Sequence, residues 1–142
     1  MSPSPDRPSQ DQLLRYFTRD RYAALTGIRL TEVSDGRARA ELEVSDKHLN
    51  SLRTAQGGAL FTLADLAFAA ASNSYGTVAV SISSSISFFR AVTSGTLVAE
   101  AREISRQRRV ASYEVRVTDR SGETVAHFTG MVYRKEQPLE LG

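Results

Sequence analysis

AQGGALFTLADLAFAAASN, residues 55–73, decides how the 142-residue chain is read. The run is rich in Ala, Leu and Phe, has no Pro and almost no β-branched residue, and predicts one helix of about four to five turns. It is apolar nearly all round, so other structure must wrap it. Working outward, residues 37–44 alternate strictly, with Ala38, Ala40, Leu42 and Val44 on one face of a half-buried strand. Asp35-Gly36 before it is a tight-turn signal, so an earlier strand over 28–33 should pair as a hairpin. Beyond Tyr75-Gly76, strands are predicted over 78–90, 97–104, 110–119 and 124–134, joined by hairpin turns at Ser94-Gly95, at 105–109 and at 120–122. Leu13, Leu14, Phe17, Tyr22 and Leu25 suit one short amphipathic helix ending before Gly27. Residues 1–10, polar and Pro-rich, read as a disordered tail, and the terminal QPLELG is expected to fray, which leaves 11–142 as a single domain. Hairpins in series imply an antiparallel sheet whose concave face covers the apolar helix: an α+β domain.

Composition removes several function classes. With no Cys there is no disulfide, no thiolate zinc site and no cysteine nucleophile, and His48 and His127 are the only imidazoles, so no metal site is expected. The charge is +2, yet Lys47 and Lys135 are the only lysines among 18 basic residues. Such an arginine excess suits anionic ligands. The start has no apolar signal segment, and the longest apolar stretch, 59–71, is broken by Asp65 and falls short of the roughly 20 residues a membrane helix needs. A cytoplasmic location is expected.

Between residues 54 and 89 the only formally charged side chain is Asp65, with Arg53 and Arg90 at the borders. Burying an unpaired carboxylate is costly or raises its pKa. A lone Asp on an ordinary surface helix faces solvent. Here Phe61, Leu66, Phe68 and Ala69 at helical spacing leave little polar stripe, which favours a functional reading. At the helix start, Gln56-Gly57-Gly58 is open to two readings. The glycines bare first-turn amides to an oxyanion or a polarised carbonyl, or they let the helix start pack closely. Gly57 and Asp65 are eight residues apart, about 12 Å along a helix, too far to touch one carbonyl. A shared site therefore needs two chains, with the helices antiparallel across a two-fold axis and two sites per dimer.

HLNSLRTAQGGALFTLADLAFAAASNSYG (48–76) and SISFFRAV (85–92) resemble the hotdog-fold acyl-CoA thioesterases of the phenylacetate-degradation (PaaI-like) group, over roughly residues 20–134. The resemblance implies a sheet wrapped round the long helix, dimers with a continuous sheet, and their pairing into homotetramers. It implies hydrolysis of an acyl-CoA, aromatic such as phenylacetyl-CoA or medium-chain, to a carboxylate and free coenzyme A. Coenzyme A is then part of the substrate, and no separate cofactor, nucleic acid or membrane partner is implied. Position by position, Asp65 is the carboxylate, general base or nucleophile, and the Gly57 amide polarises the thioester carbonyl. Asn50 helps hold the water or the carboxylate. Gln56 stands where many members carry His, and it orients thioester or water by hydrogen bonding without carrying a proton. Ser81 lies near the nucleophilic water. Arg90, Arg106, Arg108 and Arg109 are the candidates for the coenzyme A phosphates; for the last three, a solvated hairpin tip is the alternative.

On the strand after the helix, Val78, Val80, Ile82, Ile86 and Phe88 are expected on one face and Ala79, Ser81, Ser83, Ser85 and Ser87 on the other, the serines lining a tunnel or facing solvent. His127 reads as structural and His48 as a loop residue. Two rivals remain: a non-catalytic acyl-CoA binding or sensing protein, since one fold serves many functions, and a hotdog dehydratase, which needs a site His that neither imidazole supplies.

Overall fold

The computed structural model describes residues 7–142; residues 1–6 of the expected tail lie outside the described residues. Two helices, α1 (Gln10–Phe17) and α2 (Arg21–Thr26), stand where one was expected. Two N-caps make the split. The Ser9 hydroxyl accepts from the Gln12 amide and completes a capping box with the Gln12 side chain, and the Asp20 carboxylate accepts from the Ala23 amide. Ser9 and Gln10 thus belong to α1, although both fall in the stretch read as a tail. Arg7 reaches Asp35 at 2.8 Å. Gly27, at φ 88°, closes α2 in the left-handed conformation.

The chain continues through β1 (Arg29–Ser34), β2 (Arg37–Val44), a 3-10 turn (Asp46–His48), α3 (Gly57–Asn73), β3 (Thr77–Phe88), β4 (Gly95–Arg106), β5 (Val110–Thr118) and β6 (Thr124–Pro138). The strands form one antiparallel sheet in the order β1-β2-β4-β5-β6-β3, with α3 packed on it, the expected α+β architecture. One expected hairpin is absent. β3 pairs with β6 at the sheet edge, and the chain crosses over before Gly95 to set β4 beside β2. Turn residues such as Ser94-Gly95 mark a change of direction but do not name the partner. The C-terminus, read as fraying, is tied down: Leu139 is buried, its amide donates to the Gly76 carbonyl, and Arg19 donates to the Glu140 carbonyl.

Burial of α3 supplies the core. Leu63, Ala64, Ala67, Phe68, Ala70 and Ala71 are buried against inward residues of β2, β4 and β5. The Phe68 ring meets Tyr113 and Phe128 at centroid distances of 5.9 and 5.3 Å. It also fills the space over Gly130, where a Cβ would lie 2.6 Å from the ring. No described helix is long and apolar enough to cross a membrane.

Candidate active site

The sheet covers one side of α3, α2 flanks a second, and the end of β3 reaches its N-terminus. What is left is a stripe of Gly58, Phe61, Thr62, Asp65 and Ala69, spaced three or four residues apart and only partly covered. Asp65 is at its middle, half-buried. Among the described residues no hydrogen bond or ion pair holds its carboxylate, and burial, then the Asp20 carboxylate nearby, push its pKa up. A carboxylate whose pKa is raised is a stronger base than an ordinary one.

At the start of α3, Gln56 is the N-cap. Its Oε1 accepts the Gly58 amide at 2.5 Å, so this oxygen shapes the helix end. The Gly57 amide is left without an acceptor among the described residues. The Phe88 ring stands 3.1 Å from where a Gly57 Cβ would be. Both readings of the glycine pair therefore describe Gly57: it packs closely and it keeps a bare amide at the positive end of α3.

Asn50 is engaged in the loop before α3. Its Oδ1 accepts the Leu52 and Thr54 amides at 2.9 and 3.2 Å, and its Nδ2 donates to Thr54 Oγ1 at 3.0 Å. These bonds fix the turn in which Arg53 adopts φ 62°. Within one chain Asn50 positions the entrance to the helix and does not hold Asp65. Gly57 and Asp65 stay apart along α3, and the single chain does not bring them to one point.

β3 departs from simple alternation. Its register against β6 slips between Ser81 and Ser83, a bulge centred on Ile82. Before the bulge Ser81 lies opposite buried Val132. After it Ser84, Ile86 and Phe88 lie opposite Gly130, Phe128 and Ala126, whose inner faces meet α3. The faces predicted for this strand are thus wrong beyond Ser81. Ser84 joins Ser81 on the helix side, their hydroxyls 3.1 Å apart, while Ser83, Ser85 and Ser87 turn outward. Ala79 pairs with the Asn73 side chain and Phe88 with Gly57, which sets the two serines at about the level of Asp65. Ser84 was missed because nothing in a run of serines marks a bulge.

The arginines fall into two groups at opposite ends of the sheet. Arg90 is ion-paired with Asp119 and Glu123 at the end of β3 near Gly57. At the tip of the β4–β5 hairpin, Arg106 lies 3.7 Å over the Tyr75 ring, Arg108 pairs with Glu136 at 3.2 Å, and Arg109 donates to Tyr133 at 2.9 Å. Tyr133 and Ala126, which mark the two ends on β6, are seven residues apart, about 23 Å of strand. One chain does not present all four cations to one ligand. His48 is a buried strut: Nδ1 accepts the Ser45 amide, so Nε2 carries the proton and donates to the Thr26 carbonyl at 2.6 Å. His127 pairs with Glu114 on the outer face at 3.3 Å.

Comparison with known proteins gives a concordant picture. The Thioesterase superfamily model matches residues 53–126, the span that carries Gln56, Gly57, Asp65, Ser81 and Arg90. The chain is 34% identical over 119 residues to the acyl-coenzyme A thioesterase PaaI of Escherichia coli strain K12, across 83% of this chain and 85% of that one. The structure of the E. coli PaaI protein superimposes with a TM-score of 0.81 at 30% identity, covering 92% and 99% of the two chains. The TT0310 protein of Thermus thermophilus gives 0.79 at 41% identity, covering 82% and 99%. The smu.793 protein of Streptococcus mutans UA159, solved bound to acetyl CoA, gives 0.75 at 28%, covering 79% and 91%. A long helix on a six-stranded antiparallel sheet, one acid on that helix with no partner among the described residues and these likenesses together place the chain in the thioesterase superfamily, as a PaaI-like thioester hydrolase of hotdog fold.

Proposed function

We propose that the protein hydrolyses acyl-CoA thioesters, with an aromatic or medium-length acyl group, to a carboxylate and free coenzyme A. The observation that carries the reading is Asp65, half-buried on the open stripe of α3 and without a partner among the described residues. Its likeness to the E. coli thioesterase supports the choice of a coenzyme A ester. Phe61, partly open on that stripe and leaning edge-on against Phe128 at 5.4 Å, offers an apolar wall to the acyl group.

The working unit of this proposal is a homodimer, with dimers pairing again into a tetramer, in the cytoplasm. Two α3 helices run antiparallel across the two-fold axis, so the Gly57 amide of one protomer faces Asp65 of its partner. Asp65 takes a proton from water, and the water oxygen bonds to the thioester carbonyl carbon. Charge gathers on the carbonyl oxygen beside the Gly57 amide, worth about 10²–10³ in rate. The carbonyl re-forms, the carbon–sulfur bond breaks, and the leaving thiolate takes up the proton as the coenzyme A thiol. Base assistance contributes about 10²–10⁴. Arg90, itself exposed, binds a phosphate of the substrate by exchanging its partners, the partly covered Asp119 and the exposed Glu123.

Thiol release from a panel of aromatic and aliphatic CoA esters tests the reading. Wild type turns over at least one class, and Asp65→Asn and Asp65→Ala lose that turnover. Full turnover in both variants removes Asp65 from the chemistry. Tight CoA-ester binding with no thiol released overturns hydrolysis altogether.

A further inference from the structure

We propose that Phe88, at the end of β3, is a positioning residue that acts on the reaction through Gly57: its ring holds the first turn of α3 where the bare Gly57 amide meets the thioester carbonyl. The inference rests on the reading of that amide as the donor to the carbonyl oxygen.

Phe88 is 52% exposed, while Ile86, two residues earlier on the same face, packs against the core. The close contact of Phe88 is with Gly57. The far end of the ring, Cζ, Cε2 and Cε1, lies 3.1, 3.5 and 3.6 Å from where a Gly57 Cβ would be, and these are the three nearest atoms on that side of the glycine. The ring thus spans from the sheet edge to the helix start and touches it by its tip. A residue without a Cβ is what leaves room for that tip.

The Ile82 bulge puts the ring there. Under unbroken alternation Phe88 faces away from Ser81; the extra residue turns Ser84, Ile86 and Phe88 to the α3 side. Bulges at sheet edges re-aim side chains in this way. The root of the ring is firm, because Phe88 pairs with buried Ala126 and the Phe89 amide donates to the Val125 carbonyl at 2.8 Å. Both partners lie on β6, which is paired on its other side with β5.

The loop before α3 is tied to the segment after β3, the Ala55 amide donating to the Val92 carbonyl at 2.7 Å. Gly57 itself has no side chain, and its amide has no acceptor among the described residues, so the Phe88 ring is the contact that fixes this residue from the sheet side. A donor to a developing oxyanion has to keep its place closely, since a shift of about 1 Å costs about 10²-fold in rate.

Phe88→Leu shortens the side chain and withdraws the tip. Thiol release from the CoA-ester panel is compared for wild type, Phe88→Leu, Gly57→Ala and the double variant, with thermal melts and mass analysis to confirm fold and assembly. In Phe88→Leu kcat falls about tenfold with KM within about twofold. In the double variant the new methyl group occupies the space the tip has left, and turnover rises above that of Gly57→Ala alone. Losses that multiply, to about a hundredfold in the double variant, overturn the proposal. So does an unchanged kcat in Phe88→Leu, or a loss there that goes with a smaller mass. Gly57→Leu, which displaces the amide outright, is the control. Full turnover in that variant overturns the reading of the amide itself, whereas an inactive Gly57→Leu beside multiplying losses overturns the role of Phe88 alone.

Discussion

The two edges of the sheet are finished in opposite ways. The β1 edge is six residues long, carries Arg29 and Glu32, and lies under α1, where the Gln10 side chain accepts the Val33 amide at 3.1 Å. The β3 edge runs for twelve residues without a charge and leaves Val80, Ile82 and Phe88 exposed. Open edges attract other strands, and proteins blunt them with short length, charge or a covering element. This chain blunts β1 by all three means and β3 by none. The half-open stripe of α3 borders the unblunted side, so the open edge and the lone carboxylate share one flank of the molecule.

That contrast predicts unequal responses to a charge. Ile82→Lys places an ammonium on the open edge and yields monomers by light scattering, with turnover down about 10²–10³ because the neighbouring amide is lost. Glu32→Lys on the closed edge leaves mass and turnover alone. Equal damage from both breaks the contrast. Gly57→Ala sharpens it, since the new methyl group presses on Phe88 at 3.1 Å and displaces the amide by a few tenths of an ångström. Turnover falls about tenfold with little change in melting temperature. Gln10→Ala strips the acceptor from the Val33 amide and costs about 1 kcal/mol in denaturant unfolding, with the rate unchanged.

The smallest effect concerns stability and pH. In the folded chain Asp65 holds its proton more tightly than an ordinary carboxyl. Wild type therefore loses stability as the pH climbs from the usual carboxylate value through the raised one, and Asp65→Asn does not. Near pH 7 the variant melts higher, and near pH 4 the gap narrows. On the outer face the sign reverses: the Arg102 and His127 partners hold Glu114 below its usual value, so its contribution is present above the carboxylate range and fades as acid protonates it.

Local chemistry was legible in the sequence, and pairing was not. The apolar run fixed α3 to within two residues, because composition, absence of Pro and the Gly-Gly start are written locally. Asp65 stood out for the same reason. The partner of β3 depends on which strand is free when the chain closes, and no turn residue records that. The Ile82 bulge, and with it the place of Ser84, hides in a serine-rich run that satisfies either face. Ser9 and Gln12 spelled a capping box within a stretch whose prolines suggested disorder, and Asp20 as a cap split the first helix. Gln56 and Asn50 were found by resemblance, and in one chain the side-chain oxygen of each accepts backbone amides around the helix start.

Subunit mixing tests most directly whether two chains build each site. Gly57→Leu and Asp65→Asn are each purified, shown folded and inactive, and mixed under conditions where mass analysis confirms exchange. Random pairing makes half of the dimers hybrid, each with one intact site, so thiol release recovers to about a quarter of the wild-type rate. No recovery in confirmed hybrids contradicts the shared site.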